Sequence, residues 1–236
     1  MSRGGSRAVL GVDGCRAGWI GVHIAASGRV SWSLARRFDD LVERYEDVGL
    51  VFVDIPIGLP SDATRRECDS AARRFLGFPR SSSVFPVPCR QALGAKDPSR
   101  ANCQVTGRKL SLQTLGILPR IAEVDAYLRA RKGRRSIVRE THPEVCFRSL
   151  DPGRTLPAKS TPEGRGARIE LLRRRGFDGA VLLQELGAAC RRKDAGADDV
   201  LDACVAAVTG LWPLATLPAR PPRDATGLRM EIVYPV

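Results

Sequence analysis

Ala8-Val9-Leu10-Gly11-Val12-Asp13-Gly14 is the stretch on which the fold turns. A short apolar run closed by a carboxylate reads as a buried strand that delivers Asp13 at its far end. Further along, Ile20, Val22 and Ile24 alternate with other residues, Ser27-Gly28-Arg29 supplies a turn, and Val30, Trp32 and Leu34 resume the alternation. These three segments predict an antiparallel meander. Asp39-Asp40 starts a short helix over Leu41, Val42 and Tyr45, because carboxylates at a helix N-terminus satisfy free N–H groups and the dipole. Leu50 to Val53 is a second fully apolar run, and it too ends in an acid, Asp54. Strand, helical crossover and strand in this order favour parallel pairing with the first strand. Asp13 and Asp54 would then share one edge of the sheet.

From about residue 61 to 135 the pattern changes. A helix over Ala63 to Leu76 is stopped by Gly77, a Pro/Ser/Arg loop follows, and a second helix spans Leu118 to Ala130. This reads as a helical insertion within a single domain covering residues 1–236. Ile137-Val138 opens another strand leading to Glu140-Thr141-His142-Pro143-Glu144, with Pro143 placed for the first turn of a helix over Val145 to Leu150. Residues 151–166, rich in Pro, Gly, Lys and Thr, read as a mobile loop. Helices are predicted over Ala167 to Arg175 and Ala180 to Arg191, and a third starts at Asp198-Asp199. The small residues Ala203 to Ala207 let that third helix lie close against the sheet. Leu228 to Val233 reads as a final edge strand.

The formal charge of +12 comes mostly from arginine. Clustered arginines suit an anionic partner such as nucleic acid, since guanidinium grips phosphate with a planar pair of donors. They equally suit solvated outer faces of helices. Seven cysteines at irregular spacing, with no C-x-x-C pair, suggest neither a disulfide framework nor a zinc site, and point to a reducing cytoplasm. No apolar run approaches the ~20 residues of a membrane span. Met1 to Arg7 reads as a frayed terminus. Oligomeric state is not legible.

Two strands that each end in an acid at one sheet edge need cations, hydrogen bonds or solvent there, because an unpaired buried carboxylate costs several kcal/mol. A divalent ion is one solution: Mg²⁺ and Mn²⁺ prefer carboxylate and water oxygens. Asp199 and Asp202, at i and i+3, can bring a third arm from the late helix. The bland readings are an Asp-Gly turn for Asp13, a helix cap for Asp198 or Asp199, and an arginine partner for Asp202.

The order of motifs resembles the RNase H-like superfamily: Val12-Asp13-Gly14 on a strand, a meander, Val53-Asp54-Ile55-Pro56, and a late helix reading Asp199-x-x-Asp202-Ala203. Together with Gly11 to Trp19, Ile55 to Pro60, Ser82-Ser83-Val84-Phe85-Pro86-Val87-Pro88-Cys89-Arg90 and Glu140 to Glu144, the chain resembles a bacterial and archaeal family of predicted RNase H-fold nucleases. The resemblance runs from about Gly11 to Ala207. It implies a mixed α/β sheet flanked by helices and a metal-dependent nuclease cleaving nucleic-acid phosphodiesters. It also implies a two-metal site in which Asp13 bridges the ions, Asp54 holds one and Asp199 or Asp202 the other. Glu140, His142 and Glu144 stand outside the carboxylate set of that fold; His142 is the candidate for proton transfer, since imidazole titrates near neutrality. Arg16, Arg80, Ser82, Ser83 and Arg90 are candidates for phosphate contacts. A non-catalytic nucleic-acid-binding module and an enzyme acting on a small phosphorylated metabolite are the competing readings.

Overall fold

The computed structural model describes residues 7–189, 191 and 193–236; residues 1–6, Cys190 and Arg192 lie outside the described residues. The first strand, β1 (Ala8–Cys15), does not end before Asp13 but runs through it. The hairpin to β2 (Gly18–Ile24) sets Asp13 opposite Ile20 and Cys15 opposite Gly18. Asp13-Gly14 is therefore in-strand, and Arg16-Ala17 make the turn. β3 (Val30–Ala35) completes the antiparallel meander. After α1 (Phe38–Glu43), β4 (Val48–Val53) pairs parallel with β1, and β5 (Val138–Glu140) parallel with β4. The result is a five-stranded mixed sheet in the order β3-β2-β1-β4-β5.

Strand alternation sorts β1 between two layers. Leu10 and Val12 join a core with α1 residues Phe38, Leu41 and Val42. Val9 and Gly11 face the late helix α8 (Ala197–Thr209). A Cβ on Gly11 would lie 2.2 Å from both the Ala203 carbonyl oxygen and the Ala207 nitrogen, so the helix backbone rests directly on the strand. The small residues of α8 make this approach sterically open.

Between β4 and β5 lie α2 (Glu67–Leu76), α3 (Pro98–Thr106) and α4 (Leu112–Ala130). α2 starts later than the sequence predicts, because Asp62 Oδ1 accepts from the Thr64 N–H and hydroxyl and holds that stretch in a local turn. α3 is absent from the sequence reading; Asp97 caps it and Pro98 occupies its first turn. α4 begins earlier than predicted, capped by Ser111, and passes through Pro119. Its Ile121, Val124, Tyr127 and Leu128 pack with Leu10 and Val12, so the intervening segment supplies one layer of the main core.

α5 (Pro143–Leu150), α6 (Pro162–Arg174) and α7 (Gly179–Ala189) follow. The chain's last strand is not an edge of the main sheet. β6 (Leu214–Leu217) and β7 (Ile232–Pro235) form a separate antiparallel pair, and Val233 meets Thr141 in an isolated bridge. Among the described residues no helix is long and apolar enough to cross a membrane.

Candidate functional site

Register decides which acids meet. Asp13 shares a face with Gly11, hence with α8, by the two-residue period of β1. Val12 pairs with Val53, and the Asp54 N–H donates to the Val12 carbonyl at 3.0 Å, so Asp54 is the next neighbour along the parallel pair. It shares the face of Phe52, which packs on Ala206 of α8. Asp202, 2% exposed, immediately precedes the Ala203 that abuts Gly11. Two strand ends and one helix thus bring Asp13, Asp54 and Asp202 together.

Each of the three is disfavoured as an anion. Burial, then the charges of Asp54, Asp202 and Asp199, push Asp13 well above the usual carboxylate range, with Lys159 opposing. Burial raises Asp54, while His142 and Lys159 ease it. Burial pushes Asp202 up to about 6 against the pull of Lys159. The Lys159 Nζ lies 2.5 Å from Asp202 Oδ2. Asp202 Oδ1 is buried and has no hydrogen-bond partner.

The remaining acids divide. Asp199 Oδ2 accepts from the Gly196 N–H at 2.9 Å and so caps α8, though its charge still reaches Asp13. Asp198 Oδ1 is buried without a partner. Glu140 pairs in register with Val53 rather than with Asp54, which turns its side chain to the opposite face of the sheet, though it lines one cleft with Asp13, Asp54 and His142. There Oε2 accepts from the Ile57 N–H at 2.6 Å and from the fully buried Arg66 at 2.5 Å. Glu144 is gripped by Arg168 at 2.5 Å, and its charge reaches Asp54 and Asp202. His142 Nε2 is 3.4 Å from the Ser83 carbonyl, and its Nδ1 is buried with no partner.

The candidate phosphate contacts do not gather in one place. Ser83 lines a cleft beside Asp13, Asp54 and His142. Ser82 is exposed and bonds back to the Pro79 carbonyl, Arg80 donates to the Leu156 carbonyl, and Arg16 is exposed on the β1–β2 turn. Arg90 is held by Asp125 and Asp224. The cleft has a volume of about 160 Å³ and apolar walls from Phe85-Pro86-Val87, Ile117 and Ile121. Arg120, which the sequence reading passes over, also lines it, anchored to the Cys15 carbonyl at 2.5 Å. Lys159 is missed too, because a lysine in a Pro/Gly-rich loop carries no local signal of its tertiary partners.

Among the described residues no group of three or more His, Cys, Asp or Glu side chains is set to hold a metal ion. The donor chemistry nevertheless fits a hard cation: Mg²⁺ is commonly held by one or two carboxylates, with waters and substrate phosphate completing its shell. The orphaned Asp202 Oδ1 is an oxygen donor of that kind.

Fold and site define a mixed α/β protein with a buried carboxylate cluster, neutralised in part by a lysine, on one face of its central strands. The chain belongs to the family described as a protein of unknown function (DUF429), whose model matches residues 11–222 and so spans all three aspartates and Lys159. No curated protein and no solved structure matches it.

Proposed function

We propose that the chain is an RNase H-like, divalent-metal-dependent nuclease that hydrolyses nucleic-acid phosphodiesters. The observation that carries this reading is the convergence of Asp13, Asp54 and Asp202, from two parallel strands and one helix, with Asp13 and Asp54 lining a cleft. The antiparallel meander followed by two parallel strands supports the fold assignment. Mg²⁺ or Mn²⁺ bound to these carboxylates supplies Lewis-acid polarisation of phosphate and a nucleophilic water at neutral pH. Asp202 is favoured over Asp199 as the third ligand, since a cap engages Asp199 and Asp202 keeps a free oxygen. His142, with a free ring nitrogen in the cleft wall, is placed to move a proton. Arg120 is the cation in that wall suited to a phosphate oxygen.

The test is cleavage of labelled single- and double-stranded oligonucleotides with Mn²⁺, Mg²⁺ or EDTA. Asp13→Asn is expected to keep the wild-type circular dichroism spectrum and lose at least about a hundredfold in rate. Equal cleavage by that variant assigns the activity to a contaminant and rejects the reading. A second reading is an enzyme acting on a small phosphorylated metabolite. At about 160 Å³ the cleft, walled by the segment between β4 and β5, is narrow for a polymer. It is also smaller than the ~300–1,000 Å³ that drug-sized ligands occupy, so a compact phosphate ester is the substrate it would suit. Turnover of phosphorylated metabolites with intact oligonucleotides selects it. Salt-sensitive oligonucleotide binding with no turnover selects a binding module.

A further inference from the structure

We propose that the cleft is a base-reading slot: it takes one aminopyrimidine ring, cytosine among the nucleobases, with Asp69 as the acceptor for the ring's amino group. The inference rests on the nucleic-acid reading above and names the part of the substrate that enters the cleft. At about 160 Å³ the cleft matches apolar cavities of ~150 Å³ that take a single benzene ring, and it is too small for a whole nucleotide. The polymer need not enter, since enzymes that act on nucleic acid draw single bases out of the stack into fitted pockets.

The walls of the slot are apolar and tethered. One is the segment Val84 to Val87. Its Val84 carbonyl accepts from Arg73 Nε and Nη2 at 3.1 and 2.6 Å, and its Pro86 carbonyl accepts from the buried Thr114 hydroxyl at 2.9 Å. The other wall is α4, where Thr114, Ile117 and Ile121 follow at three- and four-residue steps and so share a face. Phe85 adds an aromatic surface of the kind on which bases stack. Walls held in this way spare the entropy of ordering them when a flat ring enters.

The polar edge of the slot sets the choice of ring. Asp69, on α2, lines the cleft with a side chain only 8% exposed. Its Oδ1 has Arg66 Nε and the weakly donating Cys68 thiol, each at 3.7 Å, and its Oδ2 accepts from no donor among the described residues. A carboxylate so buried and so lightly held lacks hydrogen bonds that a ring amino group supplies, and carboxylates are the usual acceptors for the cytosine amino group. Glu140 lines the same cleft, with Oε2 taken by Ile57 and by the Arg66 that also faces Asp69. Burial pushes Glu140 up to about 8, so at neutral pH it keeps a proton to donate to the neighbouring ring nitrogen. Uracil would set a carbonyl oxygen against Asp69 and leave the carboxylate unpaired.

The experiment is isothermal titration of the purified full chain with CMP and with UMP in EDTA; the two differ only in the ring, so phosphate contacts cancel. Wild type is expected to bind CMP at least about tenfold more tightly than UMP. Asp69→Asn, whose amide offers a donor as well as an acceptor, is expected to lose or reverse that preference, and Ile117→Trp, which fills the slot, to lose both ligands. Equal affinity of wild type for CMP and UMP overturns the proposal, as does binding of neither, or CMP binding that Ile117→Trp leaves intact. The wild-type ratio decides the matter even if Asp69→Asn fails to fold. Metal-free binding is separate from the cleavage test: cleavage that stops in Asp13→Asn, without a CMP preference, rejects the slot alone, and a CMP preference without cleavage rejects the nuclease alone.

Discussion

Arg90 Nη1 donates to both oxygens of Asp125, at 2.9 and 3.0 Å, and its Nη2 donates to Asp224. Asp224 in turn accepts from the N–H groups of Leu59, Thr226 and Leu228, which ties β4's following loop to the C-terminal segment. A residue whose type suits phosphate is thus the centre of an internal network. Truncating it leaves Asp224 without its cation and Asp125 with only the more distant Arg129, at 3.7 Å, so Arg90→Ala is expected to cost about 3–5 kcal/mol in urea denaturation. Near wild-type stability combined with weaker oligonucleotide binding would show that Arg90 contacts phosphate instead. The same distinction explains what was legible residue by residue. Asp13 and Asp54 announce themselves because an acid closing an apolar run is costly wherever the run is buried. Arg90, Arg120 and Lys159 do not, because a long basic side chain reaches partners far away in sequence, and only the folded chain says whether those partners are solvent, carbonyls or acids.

At the scale of elements, the five strands of the main sheet were readable from period and apolar runs, as was the position of Pro143 at the start of α5. What escaped were α3 and the β6–β7 pair. The first is polar and short, held by Asp97 and by packing on the turn at Arg90–Ala92; the second has half-buried residues with no clean alternation in β6. The contact that matters most for the site is between β1 and α8. Gly11→Ala places a methyl against helix backbone, which cannot rotate away as a side chain can, so α8 must lift and carry Asp202 from Asp13. The expected cost is about 2–4 kcal/mol in thermal or urea unfolding, with loss of Mn²⁺ binding in the same variant. Gly116→Ala is the comparison: the α4 position has nothing within 4 Å of the added Cβ and is expected to gain about 0.5–1 kcal/mol. Equal stability of the two variants would mean that α8 does not rest on Gly11 in solution.

Across the whole molecule the arginines divide between an exposed majority and a few held in the interior. Arg66, Arg90 and Arg139 each pair with a buried acid, Arg168 pairs with the half-buried Glu144, and Arg73, Arg80 and Arg120 donate to backbone carbonyls. Buried acids then control how global stability responds to pH. For Glu140, burial and the nearby Asp69 outweigh Arg66, and push the carboxyl from 4.5 up to about 8. The folded state therefore holds this proton more tightly than the unfolded chain. Below about pH 4.5 both states are protonated and the group contributes no pH dependence. As pH rises from there towards 8 the unfolded chain releases the proton first, and stability falls; above about 8 the full penalty stands. Urea unfolding of wild type in EDTA is accordingly expected to lose on the order of a few kcal/mol through this group between pH 5 and 8. Glu140→Gln keeps an oxygen for the Ile57 N–H and for Arg66 but cannot ionise, so it escapes the penalty that wild type carries at high pH and its pH profile flattens over that interval. Parallel profiles for the two proteins would mean that Glu140 is ionised throughout, with Arg66 rather than burial setting its state.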